Sequence, residues 1–319
     1  MKKKIILVSG DPNSINSELI YKSLKKLNSS VKNKIYLVTN FNLIEKQLNK
    51  LNYKMKFEVV KNIQEQTNSG KIKVINIDLK FKNPFNLPRT LSSKFVQRSL
   101  NLAHELAMEK NVIGLINCPI NKNLLNAGKT GVTEYLASKC GIKDNSEVML
   151  IKNKKLSVSP ITTHIDIKEV SKKINKTKIV KKVLTINKWF KNIYKKNPSI
   201  GVLGLNPHNA EFRNKSEEKK IIIPAILQLK HMGINVKGPL VSDTIFMQEY
   251  KDHDVLVGMF HDQVLAPFKA LFKFDAINIT LGLKYLRASP DHGIAVNLIG
   301  KNKANPKSLI KCIEYMNKS

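Results

Sequence analysis

Three histidines share one setting. Thr162-Thr163-His164, Asn206-Pro207-His208 and His261-Asp262-Gln263 each follow a short apolar run. Imidazoles at the ends of three strands could converge on one divalent cation and leave positions open for a substrate. Taken singly, each is as well explained as a satisfied polar residue in a loop. Cationic chemistry clusters between Phe260 and Pro306. Lys269 lies in Ala266-Pro267-Phe268-Lys269-Ala270-Leu271-Phe272, where an ammonium either snorkels to water or meets an anion. Arg287 is one of four arginines, with Arg89, Arg98 and Arg213. Its planar fork suits carboxylate or phosphate in a way lysine does not; a structural ion pair is the alternative. Asp243 could support a ligand, bind a metal, act as a base, or cap a helix over Thr244–Tyr250. His292-Gly293 and Gly300–Pro306 belong to a basic loop before the last helix. Glycine there permits close backbone approach, and the helix start favours anions. His104, His231 and His253 look structural.

These side chains need elements to hold them. Apolar runs at Ile5–Ser9, Ile35–Thr39, Val112–Asn117, Val148–Ile151, Ile200–Leu205, Val255–Met259 and Ile277–Leu281 predict strands. Helices are expected over Ser17–Leu27, Phe41–Leu51, Ser92–Met108, Val132–Lys139, Ile179–Ile193, Ser216–Met232 and Lys307–Met316. Such alternation predicts an α/β fold, with sheets covered by helices. Ligands of such folds sit where loops leave the carboxyl ends of strands. Gly10-Asp11, Asn117-Cys118-Pro119, Asn206-Pro207-His208 and His261-Asp262 fall at such ends. Lys80–Arg89, with Pro84 and Pro88, reads as an irregular connection.

At 319 residues, the chain is long enough for two domains, and 42% apolar residues permit a full core. The formal net charge is +31, which invites a nucleic-acid reading. The excess is almost entirely lysine, scattered through every segment. Base readout leans on arginine and on clustered basic stripes, so no nucleic-acid partner is expected. Cys118, Cys140 and Cys312 are far apart and form no disulfide framework, which suits a reducing cytoplasm. The apolar run after the first lysines stops at Ser9-Gly10-Asp11, too short for a signal peptide. No stretch approaches a membrane span. No Gly-x-Gly-x-x-Gly or P-loop follows the first strand.

Set in order along the chain, these motifs resemble a known family. They are Gly10-Asp11-Pro12, Asn117-Cys118-Pro119-Ile120-Asn121-Lys122, Thr133-Glu134-Tyr135-Leu136-Ala137, Thr162-Thr163-His164, Leu205 through Glu211, Gly238-Pro239 with Asp243-Thr244, His261 through Lys269, and Thr280 through Gly293. Together they are similar to the 4-hydroxythreonine-4-phosphate dehydrogenase family of vitamin B6 synthesis. The His-Gly, Gly-Lys and Ala-Asn-Pro signals of the last loop resemble isocitrate and isopropylmalate dehydrogenases, which share that family's fold.

The resemblance implies two α/β/α domains with a cleft between them. The expected boundaries are residues 1–125 with 276–319 for the cofactor domain and 126–275 for the substrate and dimerisation domain. It implies a homodimer with an active site shared across the interface, in which His164 and His208 of one subunit and His261 of the other hold a divalent metal (zinc, magnesium or cobalt). Thr133, Lys269, Asn278 and Arg287 match substrate-holding positions, Lys269 and Asp243 catalytic ones, and His292, Gly293 and Asn305 the NAD or NADP loop. The implied substrate is 4-phosphooxy-L-threonine. A phosphorylated four-carbon sugar acid or a dihydrodiol carboxylate on the same fold is the rival. Three departures stand out. Val132 replaces the family's histidine. Asn13 through Glu18 lack two of its glycines and a proline. Asn297 replaces a frequent aspartate.

Overall fold

The computed structural model describes residues 3–65, 70–125, 131–142 and 146–319. The chain forms two compact units, Met1–Cys140 with Lys284–Ser319, and Gly141–Leu283. Its strands are β1 Lys4–Val8, β2 Ile35–Thr39, β3 Phe57–Val59, β4 Ile72–Asn76, β5 Val112–Asn117, β6 Val148–Lys152, β7 Ser157–Pro160, β8 Ile200–Leu203, β9 Val236–Leu240, β10 Val255–Gly258, β11 Ile277–Leu281 and β12 Leu286–Pro290.

In the first unit the described strands run β3-β4-β2-β1-β5-β12, all parallel. Ile5, Ile6, Leu7 and Val8 are all fully buried. Consecutive buried residues in a strand mean that both of its faces are covered, as parallel sheets require. Helix Arg89–Ala107 packs on β1, β2 and β5, and helix Lys307–Lys318 packs on β12, β5 and β1. Helix Asn16–Lys26 lies beside the latter. Gly114 lets β12 come close: a Cβ there would stand 2.2 Å from the Leu286 carbonyl oxygen.

The second unit orders its described strands β11-β6-β7-β10-β8-β9. β6 runs antiparallel to both β11 and β7, while β7, β10, β8 and β9 pair in parallel. Val255, Leu256 and Val257 are fully buried. Helix Lys176–Tyr194 packs on β6 and β11, and helix His261–Phe272 packs on β7 and β10. No helix among the described residues is long and apolar enough to cross a membrane.

Several elements differ from the sequence expectation. β3, β4, β7, β9 and β12 are additional strands. β4 is disguised by Lys73, which is only 7% exposed. Its ammonium donates to the Asn33 carbonyl at 2.7 Å and lies 4.6 Å from the centre of the Tyr36 ring. β12 offers one large apolar residue in five. No helix forms over Thr244–Tyr250, which is turns and a short 3-10 segment, so Asp243 caps no helix there. The His-Asp-Gln motif opens a helix through Phe272 despite Pro267. Val264, Leu265 and Phe268 anchor that helix in the core with Leu156, Val158 and Leu256.

Candidate active site

In the second unit, the parallel pairing of β7 with β10 and of β10 with β8 brings three strand ends side by side. His164 follows β7, and His261 follows β10. Their ring centres lie 5.6 Å apart, tilted by 40°. An imidazole bound through nitrogen at about 2.1 Å puts its ring centre roughly 3.2 Å from the ion, so two on one tetrahedral ion stand about 5 Å apart. The pair therefore fits a shared divalent cation. The Asp262 carboxylate sits 2.6 Å from His261 Nδ1, which fixes the tautomer and leaves Nε2 for an ion. A cavity of about 280 Å³ adjoins them, lined by Thr163, His164, Ile165, Phe260, His261 and Asp262 among others.

His208 stands apart from this pair. Among the described residues, no group of three histidine, cysteine or carboxylate side chains is placed to hold a metal. His208 is exposed and sits in an unusual backbone. His208, Asn209, Ala210, Glu211 and Phe212 all have φ between 45° and 56°. A left-handed run without glycine costs roughly 1–2 kcal/mol per residue, so its surroundings must hold it. The Asn209 amide donates to the Pro239 carbonyl at 3.0 Å. The turn before it is clamped by Glu218, whose carboxylate is fully buried. Glu218 Oε1 accepts from the Leu205 and Asn206 backbone N–H groups, each at 2.8 Å, and Oε2 accepts from the Asn206 amide at 3.0 Å. Burial alone would raise this carboxyl's pKa; the Asn206 and Leu205 bonds outweigh it and hold it below the ordinary range. Sequence reading passed over Glu218, although a buried glutamate a dozen residues after a strand-end turn is the residue type such a turn needs.

A Cβ at Gly204 would stand 2.0 Å from Asn209 Oδ1 and 3.3 Å from Glu218 Oε1. Gly204→Ala must therefore push Asn209 out of its bond. We expect a destabilisation of about 1–3 kcal/mol from overpacking, read by thermal unfolding, together with a fall in turnover. A variant with unchanged melting temperature and rate would mean that this turn has slack.

Lys269 and Asp243 are both exposed in the same unit. Asn278 lies in β11, opposite Ile151 of β6. Its Oδ1 is buried and without a hydrogen-bond partner. An acceptor left without a donor in a native protein calls for an explanation, and a ligand donor is one.

The first unit holds the remaining residues. Arg287, in β12, is 2% exposed. Its Nε donates to Asn117 Oδ1 at 2.8 Å, and Nη1 donates to Thr133 Oγ1 at 3.3 Å. Two substrate candidates, Thr133 and Arg287, are thus in contact, and the guanidinium faces protein partners. Burial lowers its pKa to about 10. Thr133 is in the first turn of helix Val132–Lys139, with Val132 ahead of it.

Gly10 has φ 76°, and a Cβ there would meet the Pro119 carbonyl at 2.6 Å, so the first loop requires glycine. Asp11 accepts from the backbone N–H of Asn13 at 2.9 Å and of Asn121 at 3.3 Å. Burial raises its pKa. Asp11 helps line a cavity of about 390 Å³ with Arg89, Ser92, Asn121, Ile294 and Val296. The Ser92 hydroxyl is buried without a partner. Beside this cavity runs the loop from His292. His292 Nδ1 lies 3.0 Å from the Gly293 carbonyl, and a Cβ on Gly293 would meet nothing within 4 Å. Asn305 is exposed, and its side chain accepts from Lys307 N at 3.0 Å, at the start of the last helix. The loop is tied to helix Asn16–Lys26. The Glu18 carboxylate accepts from Ala304 N at 2.9 Å and from Lys22 at 2.7 Å, and Lys22 also donates to the Asn302 carbonyl at 3.0 Å. An open glycine, an unpartnered hydroxyl and a fixed loop fit a dinucleotide.

The chain is similar to known proteins along its length. The family model described as pyridoxal phosphate biosynthetic protein PdxA matches residues 14–316. A 4-hydroxythreonine-4-phosphate dehydrogenase of Aquifex aeolicus is 39% identical over 320 residues, covering 99% of this chain and 98% of that protein. A D-threonate 4-phosphate dehydrogenase of Pectobacterium atrosepticum is 30% identical over 328 residues, covering 98% of each. The crystal structure of 4-hydroxythreonine-4-phosphate dehydrogenase from Klebsiella pneumoniae superposes with a TM-score of 0.83 at 29% identity, covering 98% of both chains. Isocitrate dehydrogenase from Methylococcus capsulatus matches with a TM-score of 0.51 at 12% identity, over 99% of this chain and 85% of that one, a likeness of fold alone.

Proposed function

The chain belongs to the pyridoxal phosphate biosynthetic protein PdxA family, and from that premise we propose that it is a 4-hydroxythreonine-4-phosphate dehydrogenase. It oxidises the secondary alcohol of 4-phosphooxy-L-threonine with NAD or NADP to 2-amino-3-oxo-4-phosphooxybutanoate. That β-keto acid loses carbon dioxide and leaves 3-amino-2-oxopropyl phosphate. The observation that carries the reading is the His164–His261 pair, 5.6 Å between ring centres, in a chain related along its length to enzymes of that activity.

His164, His208 and His261 would hold a divalent cation, which would act as a Lewis acid on the substrate alcohol. Asp262 keeps His261 in the tautomer that offers Nε2. Asp243, exposed and on the same unit as the histidines, accepts the alcohol proton, and Lys269 holds the phosphate or carboxylate charge of the substrate. Asn278 Oδ1 takes an N–H of the substrate. Thr133, at a helix N-terminus that favours anions, holds the phosphate, and Arg287 fixes Thr133 from behind. His292, Gly293 and Asn305 receive the dinucleotide. The homodimer implied by the family resemblance shares its site, with His164 and His208 of one subunit and His261 of the other; the 5.6 Å between His164 and His261 within one chain favours instead a set completed by His208 of the partner subunit. The three free, buried cysteines suit work in the cytoplasm.

A second reading has one specific observation behind it. D-threonate 4-phosphate carries a hydroxyl where the hydroxythreonine carries an ammonium, and Asn278 Oδ1 accepts from either. Val132 also removes an imidazole that the family usually offers. Rates of NADH formation on 4-phosphooxy-L-threonine, 4-phospho-D-threonate and 4-phospho-erythronate decide between them. The expected result is the highest kcat/KM on the first. A clear preference for either acid would move the assignment to the second reading.

A further inference from the structure

The histidine-bearing turns are tied together by one amide. Gln263 Oε1 accepts from the Met259 backbone N–H at 2.6 Å, at the end of β10. Its Nε2 donates to the Gly204 carbonyl at 2.6 Å, at the end of β8, and to Ser242 Oγ at 2.7 Å, beside Asp243. Met259 is also the anchor of the third turn. Its carbonyl accepts from Thr162 N at 3.1 Å and Thr162 Oγ1 at 2.7 Å, two residues before His164. Gly204 in turn donates through its N–H to the Leu240 carbonyl at 3.0 Å, and the clamp by Glu218 begins at the next residue. Every bond of this side chain therefore ends on a segment that leads into a candidate ligand or base. The fit at β10 is close: a Cβ on Gly258 would stand 2.9 Å from Gln263 Oε1.

We propose that Gln263 is the positioning residue of the site. It sets the spacing of the turns that carry His164, His208, His261 and Asp243, without touching substrate or metal itself. A primary amide is the side chain this node requires, since it must accept from one backbone N–H and donate to a carbonyl and a hydroxyl at once. Glutamate keeps the length and the acceptor but brings a carboxylate against the Gly204 carbonyl. Leucine keeps the bulk and loses all three bonds. The inference rests on the metal reading of the histidines.

The test is calorimetric titration of the purified full chain with Co²⁺ or Zn²⁺, alongside thermal unfolding and steady-state kinetics. Gln263→Glu and Gln263→Leu are compared with Leu265→Ala, a core truncation on the same helix that leaves these bonds alone. Both Gln263 variants should remain folded and weaken metal binding at least about tenfold, in the range seen when supports of metal ligands are removed, with kcat falling more than KM rises. Leu265→Ala should lower the melting temperature and leave the metal Kd unchanged. Gln263 variants that bind metal like the wild type overturn the inference, as does a loss of affinity equal to that of Leu265→Ala at matched stability. If the wild-type protein binds no metal, the metal reading itself fails, and the inference falls with it.

Discussion

Replacing His164 or His261 with alanine is expected to lower kcat by about a thousandfold. A metal acting as Lewis acid contributes several kcal/mol to such a reaction, and each 1.36 kcal/mol is about tenfold in rate. Bound metal, measured by elemental analysis after dialysis, should fall with it, since neither remaining imidazole forms a tight site alone. Full activity with metal retained in either variant would remove that histidine from the site. Mixing His208→Ala with His261→Ala subunits probes the dimer. If the sites are shared, each mixed dimer holds one complete site, and random exchange should restore about a quarter of wild-type activity. No recovery after verified exchange would place each site within one chain. A mixture of His164→Ala with His261→Ala distinguishes the two ways of sharing. It recovers if His261 crosses to the partner's His164, and it stays inactive if the two rings that are neighbours in this chain serve one ion.

Arg287→Lys carries the second large effect. The guanidinium is 2% exposed and donates through Nε to Asn117 and through Nη1 to Thr133. An ammonium keeps the charge and cannot span both acceptors. Losing one charge-assisted bond in a buried setting costs about 1.5–3 kcal/mol, so kcat/KM on the phosphorylated substrate should fall roughly tenfold or more. The melting temperature should fall as well, because the same bond fixes the start of helix Val132–Lys139. A lower melting temperature with unchanged kcat/KM would confine Arg287 to stability. No change in either would mean that Thr133 needs no support.

The sequence made the site segments legible because strand-end motifs combine an apolar run with polar residues that a core would reject. The runs ending at Asn117, Leu205 and Met259 all behave so. It concealed β12, whose Arg287 is buried among partners that no local pattern announces. It concealed β4, because Lys73 breaks the apolar rhythm while burying its stem against Tyr36. Composition favours a substrate clamp at Arg287, and only the structure adds its bonds to Asn117 and Thr133. Glu218 and Gln263 act on backbone atoms that no local pattern identifies: Glu218 on Leu205 and Asn206, and Gln263, although it stands in the His261-Asp262-Gln263 motif, on Met259 and Gly204.

The left-handed run from His208 to Phe212 behaves as a cocked spring, with Glu218 and Asn209 as its catch. Its unfavourable dihedrals exist only while the turn is gripped, because a released chain falls back to right-handed or extended values. The imidazole of His208 is carried on the moving arm. Loosening the catch therefore does more than soften a surface loop. On the proposed metal reading, it would move the His208 imidazole relative to His164 and His261 while the strands keep their pairing.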